Sequence, residues 1–170
     1  MMTAQFDTPD AFQAAVTALS PAPSQGLRAR LLAARLDRRY QTHDSLALRP
    51  FADGSAYTGY VWDYLAEKEI VEEQEIWRRV RNVPSVYALS DLHSTERVSN
   101  PEYVTLPKGT VLRAQPDTVM RGLKYLPEDL YLCDDTCEWV GAFTHEWLDG
   151  RRFCVWSGRL PGARLTQHSE

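Results

Sequence analysis

Residues 137–156 read CEWVGAFTHEWLDGRRFCVW, and this stretch decides the fold. Asp149-Gly150 is the favoured dipeptide for a two-residue type I′ turn, because both central positions of that turn need a positive φ. The residues on either side of the turn alternate in character with a period of two, as in β-strands. The stretch therefore predicts an antiparallel hairpin with strands at about 137–147 and 151–156.

This turn also predicts the register of the hairpin, since each residue before the turn then faces one after it. Beginning with Leu148 and Arg151, the expected pairs continue as Trp147 with Arg152, Glu146 with Phe153, His145 with Cys154 and Phe143 with Trp156. One face of the hairpin is then expected to carry Trp139, Phe143, His145, Cys154 and Trp156. The other face carries Val140, Thr144, Glu146, Phe153 and Val155.

Shorter runs with strand chemistry precede the hairpin. They begin after Asn82-Val83-Pro84, because the residue before a proline avoids the helical region. The predicted strands are Val86–Leu89, Tyr103–Thr105, Thr110–Arg113 and Leu130–Cys133. Together with the hairpin they predict an antiparallel sheet of five or six strands over residues 84–157, followed by a polar tail over 158–170.

The first half of the chain, residues 9–81, is expected to be helical. An N-cap at Thr8, followed by a first-turn proline and an acid, predicts a helix from Pro9 to about Leu19. The prolines at 21 and 23 are expected to break it, and Ser24 to cap an amphipathic helix from Gln25 to Tyr40. Two short helices are expected between Gly59 and residue 81, and one continuous helix is the alternative. These elements predict a single α+β domain whose N-terminal helices pack on one face of the C-terminal sheet.

Composition narrows the class of protein. The 170 residues are 44% hydrophobic and 25% charged, close to globular averages. A net charge of -4 gives no general attraction to phosphate, so nucleic-acid binding is not expected. No apolar run approaches the roughly 20 residues that a bilayer needs, and the first residues do not resemble a signal peptide. The sequence therefore predicts a cytoplasmic protein without a membrane partner, and it leaves the oligomeric state open.

Two charged runs stand out in the helical half. One is basic, with Arg28, Arg30, Arg35, Arg38 and Arg39, and the other is acidic, with Glu67, Glu69, Glu72, Glu73 and Glu75. Runs of this kind are typical of solvated helix faces, and the alternative is a charged surface for a partner.

The cysteines are candidates for a metal site. Cys133, Cys137, Cys154 and His145 have the ligand types of a zinc centre, but no Cys-x-x-Cys spacing is present. Only Cys154 and His145 are neighbours in the predicted register, which favours cysteines packed in the core. The sequence also lacks the phosphate-binding glycine loops and the nucleophile elbow of common enzymes. We therefore expect no metal and no cofactor.

A polar run follows the first predicted strand, where loops often carry function. Its members are the candidate binding residues Asp91, Ser94, Glu96 and Arg97, together with His93. His93, His145 and Glu146 form a candidate acid–base group, because imidazole titrates near neutrality and a carboxylate can orient it. The alternative is an ordinary surface loop with a turn-forming Ser-Thr pair.

Parts of the second half resemble a family of small, functionally uncharacterised bacterial proteins. The resemblance is carried by Pro127–Tyr131, Asp134, Glu138-Trp139 and Phe143–Glu146, and by Asp91–Arg97. Some members look like immunity partners of toxin systems. The resemblance thus implies a protein partner, and it implies no catalytic residue.

Two functions remain open from the sequence. A non-catalytic, immunity-like binding module is favoured, because the chain is rich in the Tyr and Trp that anchor protein interfaces and carries oppositely charged runs. The alternative is a small hydrolase or isomerase that uses His93, His145 and Glu146.

Overall fold

The computed structural model describes residues 4–38, 60–91, 104 and 106–161. Within them, seven strands are formed by β1 (Thr17–Ala18), β2 (Lys68–Val71), β3 (Val86–Ser90), β4 (Leu112–Ala114), β5 (Leu130–Cys133), β6 (Trp139–Leu148) and β7 (Arg151–Gly158). The helices are α1 (Pro9–Ala15), α2 (Pro21–Arg35), α3 (Glu73–Val80) and α4 (Pro116–Arg121), with 3₁₀ turns at Val61–Tyr64 and Leu123–Tyr125. The strands make one antiparallel sheet in the order β1-β4-β3-β5-β6-β7-β2.

The α+β class is confirmed, but the sheet has seven strands rather than five or six. Two strands, β1 and β2, come from the segment expected to be helical. Ile70-Val71 pairs with β7, and β1 pairs with β4, so tertiary pairing overrides the helical reading of both segments. Neither Val104 nor residues 110–111 belong to a strand, and β4 begins only at Leu112. The rest of the predicted strand Tyr103–Thr105 lies outside the described residues.

The helix starts follow capping rules, with one correction. Thr8 caps α1 as predicted, accepting a hydrogen bond from the Ala11 amide at 3.1 Å, although the helix ends at Ala15. Pro21 begins α2 instead of breaking the chain, because a first-turn proline gives up no helical hydrogen bond. Ser24 is therefore not a cap. Its buried hydroxyl donates to the Leu19 carbonyl and accepts from the Val111 amide, which ties α2 to the residue before β4.

Side chains along each strand alternate between two buried faces. The first, which we call the Trp139 face, is covered by α1, α3 and α4; its core includes Phe12, Ile76, Val80, Val119, Leu130, Leu132, Trp139, Phe143, Cys154 and Trp156. The second, the Tyr131 face, is covered by α2 and the first 3₁₀ turn; its core includes Leu27, Leu31, Val61, Trp62, Tyr131, Cys133, Val140, Ala142 and Val155. Helices thus pack on both faces of the sheet and not on the single face that the sequence predicts.

The β6–β7 hairpin turns at Asp149-Gly150 as predicted, with φ values of 50° and 75°. Leu148 faces Arg151 and Trp147 faces Arg152, which confirms the register next to the turn. Beyond it the predicted register is wrong, because Phe143 faces Cys154 and His145 has no partner in the ladder. Three residues of β6, 144–146, lie opposite the single residue Phe153, and this bulge moves the register by two.

An even shift returns later side chains to their expected faces, so Trp139, Phe143, Cys154 and Trp156 share a face as predicted. His145 does not join them. It lies on the Tyr131 face, where its ring centroid is 4.7 Å from that of Tyr60.

Candidate functional site

The structure describes only some of the residues that the sequence proposes as a site. His93, Ser94, Glu96 and Arg97 lie outside the described residues. Asp91 is buried, His145 is partly buried, and Glu146 is exposed. The best-defined polar cluster is built around His145.

His145 is held by Asp129 and not by the neighbouring Glu146. The His145 Nδ1 atom lies 3.0 Å from both carboxylate oxygens of Asp129. The Asp129 side chain is fully buried, whereas 18% of the His145 side chain is exposed. A buried carboxylate therefore orients a histidine whose ring reaches the surface.

Two further donors fix the Asp129 carboxylate. The Trp62 indole Nε1 donates to Oδ1 at 3.1 Å, and the His145 backbone amide donates to the same oxygen at 3.2 Å. Asp129 precedes β5, whose first residue, Leu130, pairs with Phe143. This pairing brings Asp129 beside the β6 bulge, although the two residues are 16 positions apart in sequence.

The bulge that displaces His145 is stabilised by side chains. The Thr144 hydroxyl donates to the Phe153 carbonyl at 2.7 Å and accepts from the Glu146 amide at 3.1 Å. The Arg152 Nε atom donates to the Thr144 carbonyl at 2.8 Å. Backbone groups that the interrupted ladder leaves without strand partners are thus satisfied locally. Bulges commonly re-aim a side chain, and here the bulge directs His145 toward Asp129.

Aromatic rings surround the histidine. Tyr60 and Trp62 are stacked with centroids 5.7 Å apart, and the Trp62 ring meets His145 edge-on at 6.4 Å. Phe153 continues this layer, with its centroid 5.9 Å from that of Trp62. These rings cover much of the imidazole, and 18% of the His145 side chain stays exposed.

A second buried carboxylate, Asp91, anchors the same 3₁₀ turn. Its Oδ2 accepts from the Tyr131 hydroxyl at 2.5 Å, and its Oδ1 accepts from the Val61 amide at 3.3 Å. The Tyr131 hydroxyl in turn accepts from the Trp62 amide at 3.1 Å. Asp91 is therefore placed to hold the turn, and its carboxylate is buried.

Chemically, the Asp129–His145 pair has the arrangement of an acid–base dyad. A carboxylate at Nδ1 favours the tautomer that carries the proton on that nitrogen, leaving Nε2 as the basic atom. His145 does not line any of four cavities formed by the described residues.

Sequence reasoning selected His145 but missed Asp129. The sequence did contain a signal for Asp129. It is an acid directly before a fully apolar strand, where its carboxylate becomes buried. Glu146 is not the carboxylate that orients His145, because successive strand residues point to opposite sides. Only the bulge brings the histidine to Asp129.

The cysteines do not converge with His145 on a common centre. Cys133 and Cys137 lie on the Tyr131 face, and Cys154 lies on the Trp139 face. Burial raises the pKa of the Cys154 thiol to about 12. The four residues weighed as a zinc site are thus divided between the two sides of the sheet.

Many charged side chains of the two runs form ion pairs or hydrogen bonds within the molecule. Every glutamate of the acidic run lies within 4.0 Å of an arginine, in the pairs Glu67–Arg35, Glu69–Arg79, Glu72–Arg151, Glu73–Arg152 and Glu75–Arg78. Hydrogen bonds from Arg78 and then Arg79 lower the pKa of Glu75 to about 2. In the basic run, Arg28 is buried and donates to the carbonyls of Gly109 and Ser90. The acidic run is thus paired with arginines, and Arg28 of the basic run is held inside the fold.

Large apolar side chains are exposed at the hairpin turn and on one edge strand of the sheet. Three large hydrophobic side chains of the described residues are exposed, namely Ile70 at 70%, Trp147 at 58% and Leu148 at 73%. Trp147 and Leu148 end β6 at the hairpin turn, and Ile70 lies on the edge strand β2. The other four tryptophans are buried or partly buried.

Comparison with profiles of known protein families, with curated proteins and with solved structures found no match to this chain. Among the helices of the described ranges, none combines the length and the apolar character that crossing a bilayer requires.

Proposed function

We propose that the protein is a non-catalytic protein-binding module whose contact surface centres on the tip of the β6–β7 hairpin. The hairpin tip is defined here as residues 147–150. The exposure of Trp147 carries this proposal, because a tryptophan that is 58% exposed in water is unusual for a side chain of its size. Tryptophan is also enriched among the residues that dominate interface energetics.

The geometry of the tip suits an anchor. Its two-residue turn has φ values of 50° and 75°, which match a rigid type I′ hairpin. A preorganised tip loses little conformational entropy on binding. Burying each of Trp147 and Leu148 in a partner contributes about 2 kcal/mol. The Arg152 guanidinium lies 5.7 Å from the Trp147 ring centroid and supports its position.

The family resemblance gives this module an immunity-like role, in which the partner is a toxin protein. The internal pairing of the charged runs favours an apolar anchor over a purely electrostatic one, since salt bridges already engage the acidic run. The partner is accordingly expected to offer an apolar pocket for the indole ring.

Site-specific photo-cross-linking in the native cells tests this proposal. A benzophenone amino acid is placed at Trp147, at Leu148 or, as a matched control, at Thr17, which is exposed on the opposite edge strand. We expect one heterologous protein to cross-link at positions 147 and 148 but not at 17. A product containing only a second copy of this chain, or equal products at all three positions, would contradict the proposal.

An acid–base enzyme is the second candidate, and the Asp129–His145 pair favours it. In this alternative a hydrolase or isomerase uses His145 Nε2 as the base while Asp129 orients the ring. Its test is turnover on a panel of small esters, amides and keto acids, compared between wild type, His145→Gln and the control Glu146→Gln. Activity that is lost only in His145→Gln supports this candidate, and activity equal in all three proteins rejects it.

A further inference from the structure

Cys133 and Cys137 lie on either side of a tight turn at the end of β5, under one face of the sheet. The Cys137 Sγ atom donates to the Asp134 carbonyl at 3.8 Å, both thiols are buried, and neither cysteine is in a disulfide. The turn closes with a hydrogen bond from the Cys137 amide to the Asp134 carbonyl at 3.2 Å. Cys137 has a φ of 53°, in the left-handed region, and its side chain belongs with that of Cys133 to the buried cluster on the Tyr131 face.

The turn is held by a network that fixes this juxtaposition. The Asp134 Oδ1 atom accepts from the Thr136 amide at 3.0 Å, as in an Asx turn. The Tyr87 hydroxyl donates to Asp135 Oδ1 at 2.6 Å, and the Arg30 Nη1 atom donates to the Asp135 carbonyl at 3.3 Å. The turn is thereby attached to both β3 and α2.

The two sulfurs differ in character. The hydrogen bond from Cys133, assisted by the charge of Arg30, lowers the pKa of Cys137 to about 7, against opposing effects of burial, Asp134 and Asp135. The same hydrogen bond, together with burial, raises the pKa of Cys133. Cys137 is thus the nucleophilic thiolate near neutral pH, and Cys133 is the thiol that faces it.

Access to Cys137 is narrow. The residue is 3% exposed, but the residues directly around it in the turn, Asp135, Thr136 and Glu138, are exposed. A small oxidant can therefore reach the Cys137 sulfur more easily than a bulky disulfide reagent can. Low-pKa thiols next to a resolving thiol are the usual targets of peroxide.

We propose that Cys133 and Cys137 form a dithiol that a small hydroperoxide oxidises reversibly to an intramolecular disulfide. The Cys137 thiolate attacks the terminal peroxide oxygen, the O–O bond breaks, and the alcohol or water leaves after taking up a proton. Cys137 is then a sulfenic acid. The Cys133 sulfur attacks the Cys137 sulfur, the S–S bond forms, and the S–O bond breaks with release of water. Two thiols and one hydroperoxide therefore give one disulfide, one water and one alcohol or second water.

The disulfide joins residues that already adjoin within one turn, so its formation leaves the strand pairing intact. Cys154 provides an internal comparison, because its buried thiol has a pKa of about 12 and lies on the other face of the sheet. At neutral pH it is expected to stay reduced in the folded protein.

The experiment treats the folded full-length protein with dilute hydrogen peroxide, then measures free thiols after denaturation and maps disulfides by mass spectrometry. We expect wild type and Cys154→Ser to lose two thiols each, with one Cys133–Cys137 disulfide that dithiothreitol reverses. Cys133→Ser is expected to stop at the sulfenic acid of Cys137, trapped as a dimedone adduct. Circular dichroism confirms that each variant is folded.

The rate of oxidation supplies a second readout that does not depend on a cysteine variant. In wild type it should rise with a midpoint near pH 7, as Cys137 ionises. Arg30→Gln should slow the reaction several-fold at pH 7, because the charge favouring the thiolate is lost. Three free thiols that persist until the protein unfolds would overturn the proposal. So would a disulfide that involves Cys154, or a Cys133→Ser protein in which dimedone labels Cys154 as fast as Cys137.

Discussion

The two faces of the sheet bury similar apolar sets but differ in their polar groups. The buried polar or charged residues of the described ranges all lie on the Tyr131 face: Ser24, Arg28, Asp91, Asp129, Thr144 and Ser157. The Trp139 face is packed by rings and aliphatic side chains, with Trp139 and Trp156 stacked at 5.2 Å. Directed hydrogen bonds on one face therefore position α2, a 3₁₀ turn and a histidine, while the other face is held by packing.

The Trp139 face should show the largest stability effect. Trp139→Ala removes a fully buried indole that stacks on Trp156, and it should lower the free energy of unfolding by about 3–5 kcal/mol. The Trp139 Nε1 atom has no hydrogen-bond partner in the described part of the chain, so packing accounts for this loss. Chemical denaturation measures it. A loss under about 1 kcal/mol would show that this face does not depend on packing.

The Tyr131 face should respond to a change of charge at constant volume. Asp129→Asn keeps Oδ1 as the acceptor for the Trp62 indole and the His145 amide, but it removes the negative charge and places an NH₂ group toward His145 Nδ1. We expect a loss of about 2 kcal/mol in unfolding free energy, since hydrogen bonds to a charged acceptor become weaker bonds to a neutral one. Glu146→Gln, one residue from the same histidine but exposed, is the matched control and should change stability little. Equal losses of unfolding free energy in Asp129→Asn and Glu146→Gln would contradict the view that buried hydrogen bonds stabilise the Tyr131 face.

A smaller effect on stability is expected at the surface. There, the pH dependence of stability distinguishes a contribution from charge from one that comes from packing. The folded-state pKa of Glu75 is lowered to about 2 from an ordinary value of 4.5, so its stabilising effect is present above pH 4.5 and is lost as pH falls toward 2. Glu75→Gln should therefore be less stable than wild type by about 0.5–1 kcal/mol at pH 6, and the difference should vanish near pH 2. Denaturation curves of both proteins across this range check the sign. A difference that grows on acidification would contradict it.

How far the sequence predicts this fold depends on whether a feature is local. Asp149-Gly150 predicts its turn because two adjacent residues need a positive φ, and Thr8 caps α1 because the cap contacts only the first turn. β2 was missed because Lys68–Val71 becomes a strand through pairing with β7, more than 80 residues later. An edge strand that forms only by pairing with a distant segment is hard to predict from its own residues.

The same reasoning explains the candidate site. His145 was selected for its chemistry, which any sequence displays. Its partner Asp129 could not be predicted in the same way. The contact depends on a bulge in β6, and the alternating residue pattern of that strand gives no sign of a bulge. A regular ladder predicts His145 on the Trp139 face, and two extra residues between Phe143 and Trp147 place it on the Tyr131 face instead.

The smallest stability effect is expected at the hairpin tip, where Trp147 lies outside both cores. Trp147→Ser should change the free energy of unfolding by no more than about 0.5 kcal/mol, because the ring is mostly solvated and its main described contact is with the Arg152 guanidinium. The fluorescence of the remaining tryptophans reports unfolding in this variant. A loss of several kcal/mol would mean that the ring supports the fold and is not held out for a partner.

The most direct measurement is the affinity of wild type and Trp147→Ser for the partner that cross-links at the hairpin tip, by isothermal titration calorimetry. With both proteins equally folded, binding should weaken about 30-fold in Trp147→Ser, which corresponds to about 2 kcal/mol for one buried anchor. Asp129→Asn, which alters the Tyr131 face without touching the tip, should bind within about threefold of wild type. Unchanged affinity in Trp147→Ser would contradict the proposed binding surface.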